Sequence, residues 1–293
     1  MAYHEKFRPK NLHLIVRKLN YDFKKALEHN LYLYNNDPIV SHFFNALQAI
    51  FPEGERFFIK AAIDGAARLS RKNILPSSLK TDMIKFIHQE AFHSQQHKKW
   101  TDALINRGYQ GLAIYDNNLK RIINLLHKYI PVKQRLAITA AAEHYTASLA
   151  YIFTHIKPEI LARADYPFQG ILLYHAMEEV EHKSVCFDLY QCLSGSYLGR
   201  IFGLLFVTFD LILNVYIRYR YLLNKDGIWD RDHRRNLRIF LFGKEGLISG
   251  LIFRIKAFLR YSFHPWQTDE RKVINEKFKE YQVDMDIEPF ILG

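Results

Sequence analysis

The chain has 293 residues, 49% of them hydrophobic, and a formal charge of +11. That size allows one large domain or a core domain with an appendage, and enough apolar side chains to fill it. The two cysteines, Cys186 and Cys192, exclude a disulfide-stapled framework, and Gly and Pro are scarce at 13 and 9, so a reduced, cytoplasmic, largely helical protein is expected.

Residues 1–37 read as a polar N-terminal extension with a short helix over 21–33, and its first residues, MAYHEKFRPKNLH, contain no apolar signal core. Asp37-Pro38 breaks the pattern. Residues 38–195 read as a helical bundle, interrupted near Pro52, 75–78, 106–108, Pro131 and 165–167, and closed by Ser194-Gly195-Ser196. Residues 196–293 read as a basic, apolar helical region. It has helices over 198–223 and 239–263, the charged loop KDGIWDRDHRR between them, and an amphipathic stretch over 270–283.

Within the bundle one acid stands out. Glu143, in RLAITAAAEHYTASLAYIF, is the only Asp or Glu between Asn117 and Pro158, on a helix with little polar face. A buried, unpartnered carboxylate costs several kcal/mol even after relaxation, so Glu143 needs a cation. A Lys or Arg from elsewhere would serve, and so would a metal ion.

Two further pieces bear on that choice. Glu90 and His93 stand three apart in FIHQEAFHSQQH, as do Glu179 and His182 in HAMEEVEHK. Residues three apart share a helix face, so each pair can hold one ion from one side. Single pairs of this kind arise by chance; their spacing carries more. Glu55, in FPEGERFF, precedes Glu90 by 35 residues, and Glu143 precedes Glu179 by 36, with 53 between Glu90 and Glu143. An interval of that length is half a helix, a turn and half a helix, a hairpin that brings both ligand levels together. The longer middle gap holds a crossover. The expected fold is therefore all-α, a ferritin-like four-helix bundle with additional N- and C-terminal helices and the di-iron carboxylate ligand order. Carboxylate and imidazole donors suit two Fe ions, with Mn an alternative and Zn less suited.

At these residues the chain resembles two groups. FPEGERFF, FIHQEAFHSQQH, the Glu143 block, HAMEEVEHKSVCFD and SFHPW resemble the bacterial family described as predicted metal-dependent hydrolase, over about 40–266. His175 lies four before Glu179, and this His-x-x-x-Glu-x-x-His is similar to the p-aminobenzoate N-oxygenase group, where an additional histidine joins the ligands. The resemblance implies Glu55, Glu90, His93, Glu143, His175, Glu179 and His182 as metal ligands. His97, four residues after His93, is expected to hydrogen-bond a ligand, with an eighth ligand or a core histidine as the alternatives, and Glu178 is expected to support a ligating histidine. Gln89, His144 and Glu181 point away by helical geometry and are expected to be structural.

Residues 218–260 hold eleven Lys/Arg against four acids, a local excess of +7. With Asp210 and Asn214 inside the apolar run, a membrane span is not expected. The helices over 198–263 instead cover the bundle, lie on an anionic membrane surface at the inner face, or form a homodimer interface. No nucleic-acid motif accompanies the charge. The expected activity is that of an O₂-activating oxidoreductase, with O₂ as co-substrate, an electron donor, and a small organic substrate in an apolar pocket. A two-metal hydrolase using metal-bound hydroxide and a non-enzymatic metal-binding protein are the alternatives.

Overall fold

A computed structural model describes residues 6–19, 21–228, 230–243, 246–283 and 285–287. Four helices build the centre. α3 (Phe51–Arg71) and α4 (Ser77–Asn106) form one hairpin; α6 (Val132–Tyr151) and α8 (Phe168–His182) supply the other two rods. α5 (Gly111–Tyr129) is the crossover between them. Before the bundle come a short strand β1 (Arg17–Leu19) and helices α1 (Phe23–His29) and α2 (Pro38–Gln48). Asp37 caps α2, its carboxylate accepting from the Ile39 and Val40 amides. α7 (Pro158–Ala162) and a π-helical turn over Ile152–Ile156 fill the link from α6 to α8. α8 stops at His182, and after Lys183 and Ser184 the rod resumes as α9 (Val185–Leu193).

α6 explains its own composition. Every residue from 135 to 150 is buried, because α3, α8, α9, α10 and α12 surround it. A helix apolar on all sides belongs at the middle of a fold, and its alanines let five neighbours approach.

The C-terminal region is α10 (Tyr197–Asp226), α11 (Arg231–Phe242), α12 (Leu247–Phe258) and α13 (Arg271–Glu280), with a final strand β2 (Met285–Ile287) antiparallel to β1. Two sequence expectations change here. The charged DRDHRR stretch opens a helix rather than a loop, because Asp230 caps it by accepting from the His233 amide. The apolar run over 239–263 is two helices, not one: α11 ends at Phe242 and α12 begins at Leu247, and the Gly246 amide donates to Gly243 O. One hydrophobic cluster runs from Leu27 and Phe44 through Ala141 and Phe187 to Leu223 and Phe258, so α10 and α12 share the bundle's core.

α10 is long and apolar enough to cross a membrane by length and composition. Its inner side is seated on α6 through Gly203. A Cβ at Gly203 would lie 2.5 Å from Ala137 O and 2.7 Å from its carbonyl carbon, and backbone cannot step aside as a side chain can. Gly203→Val is expected to lower stability by about 1–3 kcal/mol, read from urea unfolding. An unchanged midpoint would mean the two helices are not in contact there.

Candidate metal centre

Each rod brings its part of the centre inward. Glu55 comes from the second turn of α3, where Pro52 sets the helix start. Glu90, His93 and His97 come from the middle of α4, Glu143 from α6, and His175, Glu179 and His182 from α8. All are buried. Three groups have ligand atoms within 4.8 Å of one another: Glu90, Glu143 and His182; Glu55, His93 and His175; and Glu90, His93 and Glu179. Glu90 and His93 each belong to two groups, so the three merge into one centre. The structure brings together all seven residues the sequence pointed to.

His182 Nε2 lies 3.1 Å from Glu90 Oε1, 3.2 Å from Glu143 Oε2 and 3.3 Å from Glu179 Oε2. Yet the nitrogen makes no well-aligned hydrogen bond to any of them. His93 Nδ1 faces Glu90 Oε1 and Glu179 Oε1, both at 3.7 Å. Both carboxylate oxygens of Glu55, Glu90 and Glu143 lack a hydrogen-bond partner while fully buried. Buried polar atoms are normally satisfied. So many orphans facing one point fit a metal cofactor, whose positive charge they would share.

The electrostatics agree. Burial, then the neighbouring Glu90, pushes the Glu55 carboxyl well up; burial, then Glu179, does the same to Glu143. Burial opposes ionisation of Glu179 too, but His182 and His175 outweigh it and hold Glu179 well below the usual range. Burial also opposes the charged form of His182, yet Glu143 and Glu179 raise its pKa well above the ordinary value. Cys186 lies close by, and burial, then Glu143, pushes its thiol well up.

Around the donors lies a ring of holding contacts. Glu178 Oε2 sits 3.0 Å from His93 Nε2, on the side away from the other acids. The contact lies off the line of a straight hydrogen bond. Gln89 Oε1 lies 3.0 Å from His182 Nδ1, fixing that ring's orientation. His97 Nε2 lies 3.1 Å from His175 Nδ1, and His97 Nδ1 3.2 Å from Gln48 Oε1. Burial, then His175, lowers the pKa of His97 well below its ordinary value, so it stays neutral. Glu178→Gln is expected to weaken metal affinity about 10–100-fold, measured against a competing chelator. Equal affinity would remove Glu178 from the support of His93.

Three contributors lie outside the sequence reading. Arg17, on β1, donates to Glu181 Oε1 at 2.6 Å and Oε2 at 3.0 Å, and its amide donates to Glu178 at 3.0 Å. Gln89, expected to be structural, links the His182 ring to Glu181, to which its amide nitrogen donates at 3.0 Å. The Thr146 hydroxyl donates to Glu179 Oε2. Thr146 was findable, since it follows Glu143 by three residues on the same face; Arg17 had no local pattern to reveal it. His144 behaves as expected for a core residue, its Nε2 2.9 Å from Arg254 O.

A bundle whose dry centre gathers four carboxylates and three imidazoles defines a metal-binding helical protein. Comparison with family models agrees: residues 15–269 match the family described as predicted metal-dependent hydrolase, and the chain belongs to that family. No curated protein and no solved structure matches the chain.

Proposed function

We propose that this chain is a non-haem di-iron, O₂-activating oxidoreductase that acts on a small organic molecule beside His175 and Glu179. The observation that carries this reading is the donor set. Four glutamates and three histidines, with no cysteine among them, converge in a water-poor bundle, and hard, bridging-capable donors of this kind favour iron or manganese. A bound iron pair would supply reversible redox chemistry toward O₂, with reducing equivalents from a separate electron donor.

The chain's own residues do the rest. Glu55, Glu90, His93, Glu143, His175, Glu179 and His182 would hold the ions. Glu178 and Gln89 set the ring orientations of His93 and His182. Thr146 steers one oxygen of Glu179. On the His175–Glu179 side lies a cavity of about 40 Å³ walled by Phe44, Leu47, Phe51, Trp100 and Phe153. Such a wall excludes water and leaves room for an apolar substrate.

The family description favours a second reading, a two-metal hydrolase in which metal-bound hydroxide is the nucleophile. One experiment separates the two. The protein is produced with ample iron, reduced without air and mixed with O₂, while visible absorption is followed and metal per chain is quantified. A transient band with iron bound supports the oxidoreductase. Redox-inert zinc, together with esterase or phosphatase activity, supports the hydrolase and ends the first reading.

A further inference from the structure

The cavity beside His175 has a neighbour. A second apolar cavity, of about 100 Å³, lies between α3, α5, α6 and α10. The two share wall residues Leu47, Phe51, Thr146 and Leu149, so only side chains part the space beside the centre from the one that reaches toward α5 and α10. Its outer end is lined by Ile122 of α5 and by Phe206, Val207, Asp210 and Leu211 of α10. Its lining is apolar apart from Tyr145, Thr146 and Asp210, which suits a hydrocarbon chain better than a compact polar molecule.

That outer end opens within an unusual surface. Between residues 197 and 219 every exposed side chain of α10 is apolar or aromatic, among them Leu198, Phe202, Leu205, Phe209, Ile212 and Tyr216. Phe209 is 69% exposed and Ile212 is 65% exposed, which a water-facing helix does not ordinarily tolerate in series. On α5, Ile122, Leu125 and Tyr129 are likewise exposed. The exposed charge on α5 and α10 has one sign. Lys120, Arg121 and Lys128 of α5 and Lys225 of α10 are exposed, and no exposed position of either helix holds an acid. α11 follows with exposed Arg231, Arg234, Arg235 and Arg238 against exposed Asp230 and Asp232, so cations stay in excess. An apolar stripe fringed by cations matches the acyl boundary and anionic headgroups of a lipid surface. A second copy of the chain would bring like charges together.

We propose that the α5–α10 face seats on an anionic lipid bilayer, and that the cavity opening in it admits a single hydrocarbon chain from the bilayer to the His175–Glu179 side of the centre. The substrate class is then a lipophilic, single-chain molecule. The inference rests on the reading that substrate meets the centre on that side.

The test uses the full, metal-loaded chain without O₂. It is sedimented with vesicles of phosphatidylcholine alone or mixed with phosphatidylglycerol, and titrated with cis-parinaric acid, whose fluorescence rises in an apolar site. Binding to the mixed vesicles only is expected, falling about tenfold between ~0.05 and ~0.5 M salt. Phe209→Glu with Ile212→Glu, both on exposed positions, should abolish sedimentation while leaving the circular dichroism unchanged. Leu149→Trp, and Leu47→Trp from the facing wall, should keep vesicle binding and lose the parinaric signal. Absence of wild-type sedimentation, sedimentation indifferent to the two glutamates, or parinaric binding indifferent to both tryptophans overturns the proposal. So does a salt-independent dimer that the glutamates dissolve. The outcome is separable from that of the redox reading: a zinc-loaded hydrolytic protein that still binds vesicles and chain would end the one and keep the other.

Discussion

Glu143→Gln is expected to make the metal-stripped protein more stable and the metal-loaded protein less stable than the wild type. In the stripped state Glu143 is buried on α6 among Glu90, Glu179 and His182. Ionised, it lacks water; protonated at neutral pH, it is held far from its ordinary equilibrium. A neutral amide avoids both costs, a gain of about 1–3 kcal/mol. In the loaded state, ions that bind only the folded chain stabilise it by about 4 kcal/mol at a thousand times their Kd. The variant, short of one anionic donor, keeps only part of that. Thermal unfolding with chelator and with iron would show the order of the two midpoints reverse. A variant less stable than wild type in both states would mean that a protein cation, not a metal, satisfies Glu143.

Glu270→Ala should be the most damaging single change outside the centre, costing about 3–5 kcal/mol. Residues 264–270 strap the joint between α8 and α9. His264 Nε2 lies 3.0 Å from Asp188, Trp266 donates its indole N–H to Ser184 at 2.9 Å, and Lys183 donates to Thr268 O at 2.8 Å. Glu270 completes the strap by pairing with Lys183 and, at 3.0 Å, with Arg254. Truncation would leave both cations buried without their carboxylate. Lys183 directly follows His182, so metal content should fall together with stability.

The same pair predicts a pH dependence. Burial opposes ionisation of Glu270, but Lys183 and then Arg254 outweigh it and lower its pKa from 4.5 to about 2. A depressed carboxylate contributes stability above its unfolded pKa and loses it as the pH falls through the folded value. The wild type should thus lose about 3 kcal/mol between pH ~4.5 and ~2 that Glu270→Gln does not lose. Burial drags Lys183 down from its ordinary value, so the pair as a whole is worth less than the share of its carboxylate.

The centre was legible because its signal is periodic. Glu90 with His93 and Glu179 with His182 lie three apart, and the intervals to Glu55 and Glu143 match a half-helix, a turn and a half-helix; helical geometry does the remaining work. Glu143 was visible for a different reason: an isolated charge in an alanine-rich helix conflicts with its surroundings. Arg17 could not be seen, because it reaches Glu178 and Glu181 across more than 150 residues of chain from a three-residue strand. The fold was legible wherever turn residues punctuate amphipathic helices. It failed at 239–263, where apolar residues run on both sides of the short GKEG break at 243–246 and mask it. It failed again at 231–235, where a charged run concealed a capped helix.

A rod held by five neighbours has little freedom to roll or slide, and α6 meets open space along one side, where Ala142, Tyr145, Thr146 and Leu149 face the cavities. His175 and Glu179 of α8 border the same space. Slack around the centre therefore gathers on one side, toward the place where a guest would lie.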